Sequence, residues 1–286
     1  MLTKDFPYFL DHGFYINEKI DPLAAHLFNL EGEKWRNMRI KLTPTFSSGK
    51  MRNMFKTLLD CGCPMIDHVG NLCQKNQDLD IKEILACYTT DIIGSCAFGL
   101  ECNSFRDPNA EFRSIIDYRT TNMVKRNDFI QLFLEMQEDA EFNNTPGLTL
   151  EQIAAQAFAF FQAGFETSST AMTFCLHELA FNQHIQNKLR QEIKEALLKN
   201  NGELSYDAIM DMKYMNKVVN ETLRKYPPVA MINRVCSLDY KIPNTNVVLK
   251  KGTKNDLTKK TKRNDQHLAS YLLAKVLEFV SGLDLD

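Results

Sequence analysis

Glycine and proline are scarce in this chain: 12 and 9 residues of 286. A sandwich or barrel of many short strands needs turn residues far more often, so helices are favoured over many short strands. Net charge is almost absent, at −2, so no global basic field is available for nucleic acid. The opening residues MLTKDFPYFL contain no long apolar run. No secretory signal is therefore expected, and the eight cysteines read as free thiols in a reducing compartment. The one local cluster of them, Cys61, Cys63 and Cys73 with His68 nearby, lacks a standard zinc spacing. What the chain has in quantity is apolar bulk. It is 44% hydrophobic with 19 Phe, enough to build one large domain or two ordinary ones.

Helical patterning dominates. Residues 33–46 begin with good helix formers and break at Pro44. Residues 47–74 and 79–100 carry apolar side chains at helical spacing, and residues 123–136 read as a charged helix. The turn NNTPG (143–147) precedes Thr149, a good N-cap with Gln152 three residues on. A long helix is expected over 150–181, another over 184–200 ending at Gly202, and a third over 214–225 stopped by Pro227-Pro228. Residues 231–253 alternate as strands do, with a turn at Pro243-Asn244. The basic run KGTKNDLTKKTKRND (251–265) reads as solvated and flexible, and the last residues as a short amphipathic helix.

The long helix poses a question. Its stretch FFQAGFETSST (160–170) sets Glu166, Thr167, Ser168, Ser169 and Thr170 in an otherwise apolar run. A membrane span is one reading, since residues 153–176 carry one charge, but a mid-span carboxylate and a row of hydroxyls make a lipid-facing helix costly. A buried helix with a polar notch fits better, because buried polar groups are satisfied or functional. Ala163 and Gly164 are small enough for something to approach the backbone closely.

Ala163-Gly164-Phe165-Glu166-Thr167-Ser168 matches the (A/G)-G-x-(D/E)-T-(T/S) signature of the central helix of cytochromes P450. A chance match in this length is on the order of one in several hundred. Three further stretches fall in the order that family requires. Trp35 and Arg39 resemble its W-x-x-x-R; four apart, they share a helix face, and both are donors suited to a heme propionate. Taken alone, an exposed helix with an anchoring Trp explains that pair better. Glu221-Thr222-Leu223-Arg224 resembles the family's E-x-x-R, although Glu33-Lys34-Trp35-Arg36 has the same spacing. Its sequel KYPPVAMINRVC (225–236) resembles the turn and strand that follow, with Arg234 matching a second propionate-binding arginine. The wording between the motifs resembles the insect microsomal, detoxifying P450 family 6 over residues 6–253.

The resemblance implies a mainly α, partial P450 fold with a small β remnant, and a heme over which the central helix passes. Glu166 and Thr167 would handle protons where oxygen is reduced, Trp35, Arg39 and Arg234 would hold propionates beside Ala163 and Gly164, and Glu221 and Arg224 would form a buried structural pair. It also implies an apolar small-molecule substrate, electrons from NADPH-cytochrome P450 reductase, and the cytosolic face of the endoplasmic reticulum membrane. The sequence departs from the family in three places. None of the eight cysteines stands in the frame F-x-x-G-x-R-x-C-x-G that supplies the axial ligand. No membrane anchor is expected in this chain, and the roof of the substrate pocket is expected to be missing near 113–117, where two family segments normally well apart meet. Residues 1–253 are expected to form the incomplete P450 domain and 254–286 a basic tail foreign to the family. Three functional readings follow: a monooxygenase, a catalytically inactive fragment or pseudogene product of the same lineage (preferred for the chain as written), and an unrelated helical interaction or membrane protein.

Overall fold

The computed structural model describes residues 4–100, 102–105, 129–142, 147–229 and 231–258. The architecture is mostly helical with two small antiparallel pairs of strands. The helices are α1 (Gly32–Leu42), α2 (Ser48–Gln74), α3 (Ile81–Phe98), α4 (Phe129–Phe142), α5 (Leu150–Phe181), α6 (Gln183–Lys199), α7 (Tyr206–Met210) and α8 (Lys213–Lys225). The strands are β1 (Met231–Val235), β2 (Tyr240–Lys241), β3 (Val248–Leu249) and β4 (Lys254–Thr258). The long helix begins where its capping signal lies and runs to Phe181 as expected. Thr149 Oγ1 accepts from Gln152 N at 3.3 Å, and Gln152 Oε1 accepts from Thr149 N at 3.1 Å, so two orphan amides are satisfied reciprocally. Helix α6 stops before Gly202, which takes a positive φ of 86° and returns its N–H to Leu197 O. Pro44 breaks α1 from α2 through a 3-10 turn over Thr43–Phe46. The short α7 has no counterpart in the sequence reading. Five residues are too few for a periodic signal, and only the Ser205 cap on Ala208 N marks it.

The chain falls into two compact units, and α5 contributes to both. The first holds the described residues of Met1–Ser48, Phe129–Phe160 and Val229–Lys260. Its small core is Phe9, Cys236 and Tyr240, with Ile242 and Leu249 packed against them. The Phe9 and Tyr240 rings meet edge to face with centroids 5.1 Å apart. A second group of rings, Phe46, Phe129, Phe133 and Phe160, joins the start of α5 to α4 and the turn before α2. Gln156 is fully buried here. It accepts from Leu27 N at 2.8 Å and reaches Ala25 O at 3.4 Å, so its amide is satisfied by one loop.

In the same unit β1 and β4 pair from Met231↔Thr258 to Val235↔Lys254. This corrects the expectation of a flexible run from 251 over its first residues. Gly252, at φ 87°, turns the chain, its N–H bonds Cys236 O, and residues 254–258 gain a backbone ladder. The expected tail helix, the remainder of the basic run and the expected junction near 113–117 lie outside the described residues.

The second unit holds the described residues of Gly49–Asp128 and Phe161–Pro228. Tyr88 is completely buried and its hydroxyl donates to Leu58 O, fixing α3 on α2. Asp91, also buried, accepts from Ser104 N at 3.0 Å and Ser104 Oγ at 2.6 Å. Leu189 and Ile193 of α6 and Met215 and Val219 of α8 are buried. Glu192, from α6, accepts from Tyr214 N at 2.8 Å and Met215 N at 2.7 Å, the orphan amides of the first turn of α8. A carboxylate at a helix N-terminus is favoured by both the hydrogen bonds and the helix dipole. Among the described residues no helix is long and apolar enough to cross a membrane, and no group of three His, Cys, Asp or Glu is placed to hold a metal ion.

Glu192→Ala should lower the unfolding free energy by about 2 kcal/mol, since it leaves two backbone donors without their charged acceptor. Urea denaturation followed by circular dichroism measures it. A change within 0.3 kcal/mol or so of zero would show that water replaces the carboxylate at no cost.

Candidate functional site

Side chains along a helix are spaced by 100°, so α5 can bury one face and leave another open. Ser169, Met172, Cys175 and Leu179 form the buried face in the second unit. Gln162, Ala163 and Glu166 are exposed, and Thr167 and Thr170 are half-buried. The notch is therefore an open polar stripe along a packed helix. The expectation of a buried helix with a polar notch is corrected: the notch residues Ala163 and Glu166 lie exposed, and Phe158, Phe174 and Phe181 of the same helix are exposed as well.

Ala163 and Gly164 point to different sides, as neighbours on a helix must. A Cβ on Gly164 would lie 2.7 Å from Cδ1 of Ile93 on α3, tighter than any ordinary contact. Gly164 thus admits α3 and not a ligand on the open stripe. Beside it, Thr89 is buried and its hydroxyl lies 3.0 Å from Phe165 O, within reach of the carbonyls of Leu85 and Ala86 as well. One proton serves these acceptors in turn, and the Phe165 contact ties α3 to α5 one residue from Glu166.

The hydroxyls have distinct partners. Thr167 donates to Ala163 O at 2.6 Å, Ser169 to Glu166 O at 3.2 Å and Thr173 to Ser169 O at 2.8 Å. Thr170, whose usual acceptor one turn back is already shared with Ser169, lies 3.4 Å from Glu166 Oε1. Acid and alcohol thus stand side by side on an open helix face, with water able to reach the acid.

Trp35, Arg39 and Arg234 stand in the first unit. Trp35, half-buried on α1, meets the Phe6 ring edge to face at 6.0 Å. Arg39, one turn on, is exposed. Among the described residues neither the indole N–H nor the Arg39 guanidinium has a hydrogen-bond partner. On β1, Arg234 Nη1 donates to Asn233 O at 2.8 Å, but its Nε is buried without a partner. Burial pulls the Arg234 pKa down. A buried guanidinium donor left unpaired is a place where an anion fits.

His12 lies near it and was missed by the sequence reading, where a lone histidine in an irregular segment carries no signal. Its Nδ1 lies 2.8 Å from Phe28 O, so that nitrogen holds the proton, and its ring stacks on Phe28 at 4.5 Å. Burial first, and then the Arg234 charge, lower its pKa. His26 is lowered too, mainly by burial.

Glu221 and Arg224 are paired, with Arg224 Nε 2.7 Å and Nη2 2.6 Å from the two carboxylate oxygens. Their side chains are 62% and 64% exposed, which corrects the expected burial. Helix α8 buries Met215, Val219 and Thr222, and residues 221 and 224 fall on the opposite side. As an exposed i,i+3 pair it contributes only a few tenths of a kcal/mol. A better-shielded contact nearby joins Glu178 of α5 to Lys225 and the Tyr226 hydroxyl, both at 2.5 Å.

A model of the Cytochrome P450 family matches residues 3–125 and 111–255. The chain belongs to the cytochrome P450 family. It is 42% identical over 313 residues to "Probable cytochrome P450 6a14" of Drosophila melanogaster, covering 88% of this chain and 62% of that one. Similarity to cytochrome P450 6a9 of the same fly is 38% over 305 residues, and to cytochrome P450 6A1 of Musca domestica 39% over 306, each covering 88% of this chain and 60% of the relative. The chain thus spans about three-fifths of the length of these P450 relatives. In the first comparison 88% of 286 residues is about 252, against 313 aligned, so about 60 positions of the relative face no residue here.

Two predictions arise from this geometry. Gly164→Ala should destabilise the protein by about 1–3 kcal/mol through overpacking, and Ile93→Ala in the same chain should restore part of it, measured as a double-mutant cycle in urea. Strict additivity would mean that the two residues do not meet. For pH, His12 and His26 have folded pKa values below the unfolded value near 6.5. Their contribution is therefore present above pH about 6.5 and lost as pH falls toward the folded values. The thermal midpoint should drop between pH 7.5 and 5.5, and less so in His12→Gln/His26→Gln; an equal drop in both proteins would assign the effect to other groups.

Proposed function

We propose that the chain carries the proton-handling helix and the propionate grip of a heme-thiolate monooxygenase. The enzyme inserts one oxygen atom from O2 into apolar small molecules, xenobiotic or endogenous. NADPH-cytochrome P450 reductase at the cytosolic face of the endoplasmic reticulum membrane supplies its electrons. The observation that carries this reading is the open stripe of α5, where Glu166 and Thr167 stand side by side in a member of this family. Heme, when bound, supplies the activation of oxygen. Arg234, with its buried unpaired Nε, holds a propionate together with Trp35 and Arg39.

The chain's own residues move protons. Glu166 is exposed and exchanges protons with bulk water. Thr167 gives its one hydroxyl proton to Ala163 O, so its oxygen accepts from a water or an incoming donor. As a proton arrives on that oxygen from one water, the hydroxyl's own proton turns away from Ala163 O and leaves to a water on the other side, so one proton enters and one departs. The carbonyl keeps its backbone donor, so the exchange leaves no buried group stranded.

A second reading concerns these 286 residues by themselves: a protein that binds heme without the axial thiolate and is catalytically inactive. It is supported by the eight cysteines, none of which lies in the family's ligand frame. Burial pushes the Cys102 and Cys175 thiols up to about 11, against the thiolate an iron ligand requires.

The test uses the single tryptophan. Hemin should quench Trp35 emission, and Arg234→Ala should weaken binding about tenfold by removing a charge-assisted bond. The reduced complex with carbon monoxide then separates the readings. A strongly red-shifted Soret band marks cysteinate ligation and the active reading; a band without that shift marks the inactive one. In a protein showing the first band, Thr167→Ala should divert electrons from product to peroxide or water, and full coupling would remove Thr167 from proton delivery.

A further inference from the structure

The three propionate donors sit on two elements, Trp35 and Arg39 on α1 and Arg234 on β1. A grip made of separate elements works only if something fixes their spacing. One short segment does so. Asp11 Oδ1 accepts from Gly32 N, the first residue of α1, at 2.9 Å. Asp11 Oδ2 accepts from Ser237 Oγ at 3.1 Å, two residues past the end of β1. Its backbone carbonyl accepts from Val235 N at 2.9 Å, next to Arg234, forming an isolated bridge with the strand.

The neighbouring residues reinforce the joint. Gly13 N donates to Glu31 Oε1 at 3.1 Å, at the entry to α1. Gly13 has a positive φ of 77°, and a Cβ there would run into the Val235 side chain. The backbone at 11–13 is thus pressed against β1 on one side and bonded to the start of α1 on the other. A carboxylate is the one side chain short enough to stay in the turn and still offer two acceptors in different directions.

We propose that Asp11 is a positioning residue for heme: by bonding the first amide of α1 and the end of β1 together, it sets the spacing of Trp35 and Arg39 against Arg234. This rests on the heme reading given under Proposed function. Asp11 touches no propionate itself and acts through the two elements that do. The amide of Gly32 is one of the orphans at the start of α1, so the carboxylate also sets the angle at which the helix enters.

The test uses the full chain loaded with heme and reads the heme-propionate bending bands by resonance Raman, with affinity taken from Trp35 quenching. Asp11→Ala should shift those bands and weaken heme binding about tenfold, the effect of losing a charge-assisted bond. Asp11→Asn should restore the parent bands, because its Oδ1 still accepts from Gly32 and its amide donates to a Ser237 hydroxyl rotated to accept. Ser237→Ala, which removes one of the two side-chain bonds, should give an intermediate shift and covers the case in which Asp11→Ala does not fold. Asp21→Ala, which removes a cap on Ala24 N in the same unit, should leave the bands unmoved. Parent bands in both Asp11→Ala and Ser237→Ala, or an equal shift in Asp21→Ala, would overturn the assignment and leave the heme reading standing. Absence of Trp35 quenching in the parent chain would overturn the heme reading and this one with it. In that case Trp35 emission still separates the two: a changed wavelength in Asp11→Ala alone shows that the joint positions α1 for some other end.

Discussion

Much of the second unit depends on a missing methyl group. With no Cβ at 164, Ile93 of α3 reaches the backbone of α5, and Thr89 reaches the carbonyl of Phe165. That contact fixes which way α5 is turned. A helix carries its side chains at fixed angles, so seating Gly164 against α3 determines where Ala163, Glu166 and Thr167 emerge. Packing and chemistry are thereby coupled. The same turn of helix that excludes water on one side presents an acid and an alcohol to it on the other.

The sequence made this half legible for physical reasons. Thr149 with Gln152 marks the start of α5 by a pattern that works locally, and the motif around Glu166 is a run of adjacent residues that needs no tertiary knowledge. The burial of the stripe was misjudged because composition reports how apolar a helix is and not on which side its bulk lies. Glu221 and Arg224 show the same limit. Their spacing announces the pair, yet exposure depends on which face Met215, Val219 and Thr222 occupy. Glu192 on the amides of α8 was beyond reach because its partners lie more than 20 residues along the chain, on another helix. His12 and Asp11 were missed for the same reason. Their partners, Phe28, Gly32, Val235 and Ser237, are chosen by the fold.

Family membership and the chain's own dimensions point in the same direction. The family model matches in two stretches that overlap at 111–125, and the three fly relatives carry about 53 to 61 aligned positions with no counterpart here, against the 252 or so that this chain contributes (88% of 286). Glu166 and Thr167 lie on α5, which α3 supports through Gly164 and Thr89, and Trp35, Arg39 and Arg234 lie on α1 and β1, which Asp11 joins.

The joint at Asp11 has a consequence for how the protein is made. Its side-chain bond to Ser237 closes a separation of 226 residues, and Phe9 is buried only when Cys236 and Tyr240 are present. The first segment of the first unit therefore leaves the ribosome long before its partners exist. Until residue 240 has been synthesised, Phe9 has no core to enter, whereas α2 and α3 can pair as soon as residue 98 appears. Contacts this distant are slow to form and leave apolar surface uncovered while they do. The order of translation thus places residues 9–13 among the last to fold, after residues near 240 that cover them have been made.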